Sequence, residues 1–280
     1  MAKPMAILLG AVTLGALASG CDREESIVGL QPKGLNMSGN WEFGTTSMAP
    51  ETSPATIAGT ISQSDGLLTG AVHVNGSSCF DTLATIALSG ALETDSSSIS
   101  LTSAAVEGQV ISIIGRATYD TLAGTYAISG GCADGDQGHV TGFRVRRLDG
   151  DWIVRLRGPS GGLDDYSPPE RWTGQAMLVQ GSANSDGSFG VSGTVSNACS
   201  GCSPLSGTIS SGTFPSPSFV LGTSVVLEIE TPNGTVAFRG TVKESGSKIV
   251  GRHQFVGGTH DGKSGSACFG RLDQVHGPCF

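Results

Sequence analysis

The chain has 280 residues, of which 14% are charged, and a formal net charge of −8 at pH 7. Nucleic acids attract clusters of Lys and Arg, which this acidic sequence lacks, so the composition argues against a nucleic-acid partner. Glycine is abundant, with 43 residues, yet apolar residues alternate with the Gly and Ser, so the composition does not predict disorder.

Residues 1–20 have the features of a secretory leader, with a positively charged start and an apolar run over residues 5–18. The run is too short for a membrane span, which takes about 20 apolar residues. Residues 17–21 (LASGC) resemble the lipobox of bacterial lipoproteins, although Ala18 stands where that family prefers Leu. The resemblance implies cleavage before Cys21 and attachment of lipid to its sulfur. The alternative is an ordinary cleaved leader, which leaves Cys21 as a thiol or in a disulfide.

Residues 21–37 carry charges at their start and few apolar residues after them. We expect this segment to be a flexible tether that holds a globular part away from the bilayer. The expected location is therefore the bacterial cell envelope, with the protein anchored to a membrane by lipid. The sequence leaves open whether that is the inner or the outer membrane.

Short runs of alternating apolar residues follow the tether, separated by turn sequences such as Ser-Asp-Gly and Pro-Asn-Gly. No stretch after the leader has the 3.6-residue periodicity of a helix, so the pattern predicts an all-β chain. We predict eight strands in each half of the chain. The first eight lie near 39–45, 55–63, 67–75, 83–92, 98–104, 109–118, 122–129 and 138–146. The second eight lie near 150–157, 174–182, 188–196, 204–213, 217–230, 235–243, 248–256 and 265–272.

The two halves repeat one pattern, which indicates an internal duplication. Ser38-Gly39-Asn40-Trp41 corresponds to Asp149-Gly150-Asp151-Trp152. Six further correspondences keep the same order: Ser64-Asp65-Gly66 with Ser185-Asp186-Gly187, Leu68–Val72 with Val191–Val195, Leu88–Leu92 with Leu205–Ile209, Gly115 with Gly240, Gly130-Gly131 and Asp134-Gly135 with Gly257-Gly258 and Asp261-Gly262, and Arg144 with Arg271. The sequence therefore predicts two tandem antiparallel up-and-down β-barrels of about eight strands, over 38–147 and 148–280, with β-sandwiches as the alternative.

The Gly-x-Trp openings of the two repeats, Gly39/Trp41 and Gly150/Trp152, resemble the first strand of the calycin barrels, the lipocalin and avidin group. In that group the Trp closes one end of the barrel. Leu68-Thr69-Gly70 also resembles the Thr-Gly hairpin of avidin. The resemblance implies the barrel shape. It does not imply a ligand, because the sequence lacks the ring of aromatic residues with which avidin binds biotin.

Seven cysteines are present, and six remain if Cys21 carries lipid, an even number that an oxidising compartment would pair. Cys79 follows the third predicted strand and Cys132 the seventh. The loops after these strands lie at one end of an up-and-down barrel, so we predict a Cys79–Cys132 disulfide. Two pairings stay open in the second repeat: Cys202–Cys268 leaving Cys199 and Cys279, or Cys199–Cys202 with Cys268–Cys279.

Cys199 and Cys202 also fit the Cys-x-x-Cys formula of redox proteins. The predicted strands provide no helix N-terminus to lower a thiol pKa, so we interpret both cysteines as structural. Zinc would need a second tightly spaced pair of ligands, and the sequence has none. We predict neither a metal nor another cofactor.

Four side chains are candidates for contact with a ligand or a partner. Tyr126 and His253 occupy matching positions of the seventh strand, where they would point into the barrels. The alternative is that each is a hydrogen-bonded core residue. The longest predicted loop, 158–173, carries Tyr166 and Trp172 at a barrel mouth, as a lid, a partner-binding surface or a plain surface loop.

We expect a non-catalytic, lipid-anchored envelope protein whose barrels hold a small apolar ligand or whose loops bind another envelope protein. The alternative is a purely structural lipoprotein with solid barrels. A hydrolase is the least favoured hypothesis. Residues 158–162 (GPSGG) match the Gly-x-Ser-x-Gly formula around Ser160, but that motif needs a strand, a strained turn and a helix, which are not predicted here.

Overall fold

The computed structural model describes residues 34–48, 55–93, 97–158, 170–197, 203–243 and 246–273. They form an all-β structure with one 3-10 turn at Gly258–His260. No helix within these ranges has the length and apolar character needed to cross a membrane. The predicted leader, Cys21 and tether residues 21–33 lie outside the described residues. Residues 34–37, also predicted as tether, are described, and Met37 is fully buried in the core of the first barrel, because its apolar side chain packs there.

The first repeat is a closed barrel of eight strands. They are β1 (Gly39–Ser47), β2 (Thr56–Ser64), β3 (Leu67–Asn75), β4 (Ile86–Leu92), β5 (Ser98–Ser103), β6 (Val110–Ala117), β7 (Thr121–Ser129) and β8 (Gln137–Val145). Each strand pairs antiparallel with the next, and β1 pairs with β8 to close the barrel. Burial alternates along β5 and β8, as expected for strands with one face inside a barrel. All eight predicted strands are confirmed.

The second repeat also closes into an eight-stranded barrel, in the order β10-β9-β18-β17-β16-β15-β13-β11, with β11 pairing back to β10. Two short strands, β12 and β14, add to it. The strands are β9 (Gly150–Arg157), β10 (Arg171–Ala183), β11 (Phe189–Asn197), β12 (Ser203–Pro204), β13 (Gly207–Ile209), β14 (Phe219–Leu221), β15 (Ser224–Thr231), β16 (Gly234–Lys243), β17 (Lys248–Val256) and β18 (Ser264–Arg271).

Two predicted strands of the second repeat are shorter than expected. The segment predicted as 204–213 forms only β12, which pairs parallel with β10, and the three residues of β13. Pro215 and Pro217 follow it, and proline cannot donate a hydrogen bond to a strand ladder. The segment predicted as 217–230 is divided into β14 and β15 by a turn at Gly222, whose φ of 55° favours glycine.

The duplication is confirmed in matching hydrogen bonds. The indole Nε1 of Trp41 donates to the carbonyl oxygen of Met37 at 2.7 Å, and that of Trp152 donates to the carbonyl oxygen of Leu148 at 2.9 Å. Both tryptophans are fully buried. Met37 and Leu148, each four residues before its tryptophan, also donate a backbone N–H to a glutamine on the following strand. Met37 donates to Gln63 Oε1 and Leu148 to Gln180 Oε1.

The barrels contact each other through outward-facing side chains of β1. The side-chain amide of Asn40 donates to the carbonyl oxygen of Gly222 and accepts the Gly222 N–H, both at 2.8 Å. Thr223 donates its N–H and its hydroxyl to Glu42 Oε2, each at 2.7 Å. A Cβ at Gly222 would lie 2.7 Å from Ala58 Cβ and from Glu42 Oε2, so glycine permits this close approach.

Asn40→Ala is expected to lower the free energy of unfolding of residues 22–280 by about 2–4 kcal/mol, since it leaves the buried N–H and carbonyl of Gly222 unpaired. Urea titration followed by fluorescence measures the loss. Asn233→Ala, in an exposed turn, is the control and should change stability by less than about 0.5 kcal/mol. An Asn40→Ala protein as stable as the wild type would show that this contact is not held in solution.

Candidate ligand site at the mouth of the first barrel

One end of the first barrel is formed by the loops after β1, β3, β5 and β7, and we call it the mouth. Cys79 lies in the β3–β4 loop and Cys132 in the β7–β8 loop. They form the predicted disulfide, with a Cα–Cα distance of 5.7 Å. The bridge therefore joins two loops across the mouth, as the strand order predicts.

A glutamine side chain reinforces this bridge. Gln109 Nε2 donates to the carbonyl oxygen of Cys79 at 2.5 Å, and Gln109 Oε1 accepts the Ala133 N–H at 3.0 Å. Gln109 is 1% exposed. One buried amide thus links the same two loops that the disulfide joins, which holds the mouth in a fixed shape.

The disulfide lines a cavity of about 260 Å³. Its apolar wall consists of Ile57, Val74, Phe80, Ile111 and Ile128. Ala55, at the rim, presents only a methyl group to this space. Polar side chains also line the cavity: Thr45, Ser77, Ser78, Tyr126 and Asp136. Small-molecule sites combine an apolar lining with a few such polar groups.

The polar side of the cavity is built around Asp136, just before β8. Ser47 donates its hydroxyl to Asp136 Oδ1 at 2.6 Å, and Tyr126 donates its phenol to Asp136 Oδ2 at 3.1 Å. Burial, together with the neighbouring Asp136, raises the pKa of Tyr126 above its ordinary value. The phenol therefore keeps its proton and serves as a donor that orients the carboxylate.

At four of five matching positions, the second barrel carries the larger side chain. Strand pairing aligns Ala55 with Trp172. Ala55 lies four residues before Gly59, the cross-strand neighbour of Trp41. Trp172 lies four residues before Ala176, the cross-strand neighbour of Trp152. The β7–β8 loop and the β17–β18 loop have the same internal pattern of backbone hydrogen bonds. The Ile128 N–H donates to the Asp136 carbonyl in the first loop, and the Phe255 N–H donates to the Lys263 carbonyl in the second. The replacements from the first repeat to the second are Ala55 to Trp172, Tyr126 to His253, Ile128 to Phe255, Ala133 to His260 and Asp136 to Lys263.

These larger side chains pack against one another. The Trp172 ring centroid lies 4.9 Å from that of Phe255, 5.5 Å from that of His260 and 6.0 Å from that of His253. Trp172 is 2% exposed and belongs to β10, although the sequence places it in the long loop. The second barrel thus fills with aromatic rings the positions that surround open space in the first.

His253 is a core residue of this cluster. Its Nδ1 lies 3.1 Å from the carbonyl oxygen of Ser266, so Nδ1 carries the proton that it donates there. Burial lowers the pKa of His253, which favours the neutral ring. Three polar atoms of this cluster are buried without a hydrogen-bond partner in the described part of the chain: His253 Nε2, Trp172 Nε1 and His260 Nδ1.

Several sequence-predicted sites fall outside the described residues: Cys21, Cys199, Cys202, Cys279, Tyr166 and Ser160. Cys268 is fully buried and disulfide-bonded. The described residues do not identify its partner, so both predicted pairings of the second repeat stay open. No group of three or more His, Cys, Asp or Glu side chains suited to a metal ion occurs in the described part of the chain.

A larger groove of about 1300 Å³ runs between the barrels. It is open to solvent and is lined by four cations: Arg144, Arg146, Arg147 and Lys243. Two of them pair with carboxylates, Arg144 with Asp120 at 2.7 Å and Arg147 with Asp149 at 2.5 Å. The mouth cavity is smaller, but hydrogen bonds from Ser47 and Tyr126 hold its carboxylate in place, and the second repeat fills the matching positions with aromatic rings. These properties make the mouth cavity the stronger candidate for binding a small molecule.

Comparison with known proteins adds no family to this description: no protein-family model, no curated protein and no solved structure matches the chain. The two closed barrels are consistent with calycin-like repeats, and that likeness concerns shape.

Proposed function

We propose that this chain is a non-catalytic envelope protein that binds a small ligand in the mouth cavity of its first barrel. One observation carries the proposal: the first repeat keeps space open at positions that the second repeat fills with Trp172, Phe255 and His260. A fold that can fill the mouth has left it open in one copy. The volume of about 260 Å³ is near the lower limit of ligand pockets, about 300 Å³, so the ligand is small.

The proposal includes no catalytic step, because the polar groups at the cavity serve to hold a carboxylate. The hydroxyls of Ser47 and Tyr126 both donate to Asp136. A nucleophilic site would instead place a base beside the nucleophile and a third group behind that base. The second barrel, with its filled mouth, is the solid partner against which the first barrel packs.

Attachment to a membrane through lipid on Cys21 is part of the same proposal. It is supported by the leader and by the likeness of residues 17–21 to a lipobox. The Cys79–Cys132 disulfide agrees with export, because such bonds form and persist in oxidising compartments. The tether then presents the barrels outside the membrane that holds the anchor.

Ala55→Trp, which copies the second repeat into the first, is expected to fill the cavity and abolish binding. Benzene is the probe, because it enters dry apolar cavities of about 150 Å³. We expect NMR titration to show benzene bound to wild-type residues 22–280 and an affinity at least about tenfold lower in Ala55→Trp, because one phenyl-sized group fills a comparable volume.

Ala123→Trp, on the exposed face of β7, is the matched control and should bind benzene as the wild type does. Circular dichroism and melting temperature would establish that both variants fold. If Ala55→Trp binds benzene as tightly as the wild type does, or if the wild type binds neither benzene nor any of its amino, hydroxyl or carboxyl derivatives, the proposed cavity function is wrong.

A further inference from the structure

The mouth cavity contains a carboxylate that has no positively charged partner among the described residues. The ion pairs between described residues are Arg144–Asp120, Arg147–Asp149 and Lys263–Glu170. None of these includes Asp136, whose two oxygens accept the hydroxyls of Ser47 and Tyr126 within the described part of the chain. An ionised carboxylate accepts about four hydrogen bonds, so Asp136 keeps capacity for a further donor.

The second repeat has no such group at the equivalent position. There Lys263 replaces Asp136, and its ammonium lies 2.7 Å from Glu170. The cation of the second repeat is therefore paired within the chain, whereas the anion of the first repeat faces a cavity. The two copies differ in charge at the same place where they differ in volume.

Aromatic rings accompany the carboxylate. Phe80 and Tyr126 line the same cavity as Asp136. The face of an aromatic ring attracts a cation, and this attraction strengthens where water is excluded. A carboxylate and two aromatic rings beside an apolar surface suit a group that is positively charged and donates hydrogen bonds.

We infer that the mouth cavity selects a small amine, with its apolar body against the isoleucines and its protonated amino group against Asp136. This inference rests on the proposed function, namely that the cavity holds a ligand at all. The hydroxyls of Ser47 and Tyr126 hold the carboxylate in place before the ligand enters, so little ordering is left for binding to accomplish. An anionic ligand of the same shape is repelled by Asp136.

Three probes of one shape test the inference: benzylamine, benzyl alcohol and benzoate. Titration of residues 22–280 by calorimetry or NMR should give benzylamine an affinity at least about tenfold above benzyl alcohol, because hydrogen bonds to charged groups are the stronger ones. Benzoate should not bind measurably. Benzylamine affinity should also fall with added salt, while that of benzyl alcohol should not.

Asp136→Asn keeps the shape and removes the charge. We expect it to lower benzylamine affinity about tenfold or more and to leave benzyl alcohol within about threefold. Asp81→Asn is the control for net charge, because Asp81 is an exposed carboxylate in the same β3–β4 loop as Cys79. It should bind both probes as the wild type does.

The outcomes separate the inference from the function on which it rests. If wild type and Asp136→Asn bind benzylamine and benzyl alcohol equally, the cavity binds ligands but the amine inference is wrong. If Ala55→Trp binds benzylamine as tightly as wild type, the amine binds elsewhere and the inference is overturned. If none of the probes binds, and benzene does not bind either, both the inference and the proposed function fail.

Discussion

Replacing Trp172 with Ala is expected to lower the free energy of unfolding of the chain by about 3–5 kcal/mol. Trp172 is 2% exposed and is the largest side chain of the cluster that fills the second mouth. Its indole contacts the rings of Phe255 and His260, and its Nε1 has no hydrogen-bond partner among the described residues. The expected loss therefore comes from lost packing and from the cavity left behind, not from a broken hydrogen bond.

The same substitution should make the second barrel resemble the first. The space left by the indole lies against the rings of Phe255, His253 and His260 and has the size of an aromatic side chain, so it should admit benzene. Urea unfolding measures the loss of stability, and NMR titration with benzene counts the binding sites, which we expect to rise from one to two. Trp172→Phe, which keeps a ring in place, should lose clearly less stability than Trp172→Ala. A loss below about 1 kcal/mol would mean that the second mouth is not packed as described.

The barrels could be predicted from sequence because their signals are local. Alternation along a strand such as β8, and turns such as Ser64-Asp65-Gly66, are visible within a few residues. The Gly-x-Trp pairs fix the alignment of the repeats, and Trp41 and Trp152 indeed make the same hydrogen bond. Local pattern and repetition together determine strand order, and strand order places Cys79 beside Cys132.

Contacts between the barrels could not be predicted from these signals. Asn40 alternates with buried residues of β1 and reads as an exposed polar side chain, yet it is 3% exposed because Gly222 covers it. Which outward faces meet depends on the linker and on the positions of β14 and β15, whose division by Gly222 the alternation pattern did not reveal.

The sequence predicts barrels that hold a ligand and names Tyr126 as a contact, but it does not show that the cavity lies at the mouth of the first barrel alone. That restriction is a difference in side-chain volume between aligned positions. Ala55 is unremarkable until it is set beside Trp172, and that alignment depends on the strand register. Asp136 follows Asp134-Gly135, and the sequence suggests that it belongs to the same turn. Asp134 is indeed a turn residue, because its carboxylate accepts the Gly130 N–H at 2.6 Å. A comparison of inward-facing residues between the repeats is the sequence signal that finds both.

Replacing both Cys79 and Cys132 with Ser is expected to lower the free energy of unfolding by about 4 kcal/mol, because the bridge spans a sequence separation of 53 residues. A cross-link of that length removes much of the conformational freedom of the unfolded chain. Urea unfolding of the double variant and the wild type, under oxidising conditions, gives the difference directly.

Reduction provides the control for this experiment. Dithiothreitol opens every disulfide of the wild type, including that of Cys268, so the difference between the two proteins should vanish in its presence. Equal stability under oxidising conditions would contradict the Cys79–Cys132 bridge. Benzene binding tests whether the bridge also maintains the shape of the cavity. Gln109 still joins both loops through its amide in the double variant. The variant should therefore retain the cavity and bind benzene at low urea. Stability and binding then depend on different bonds, because the disulfide restricts the unfolded chain while Gln109 and the barrel wall maintain the shape of the mouth.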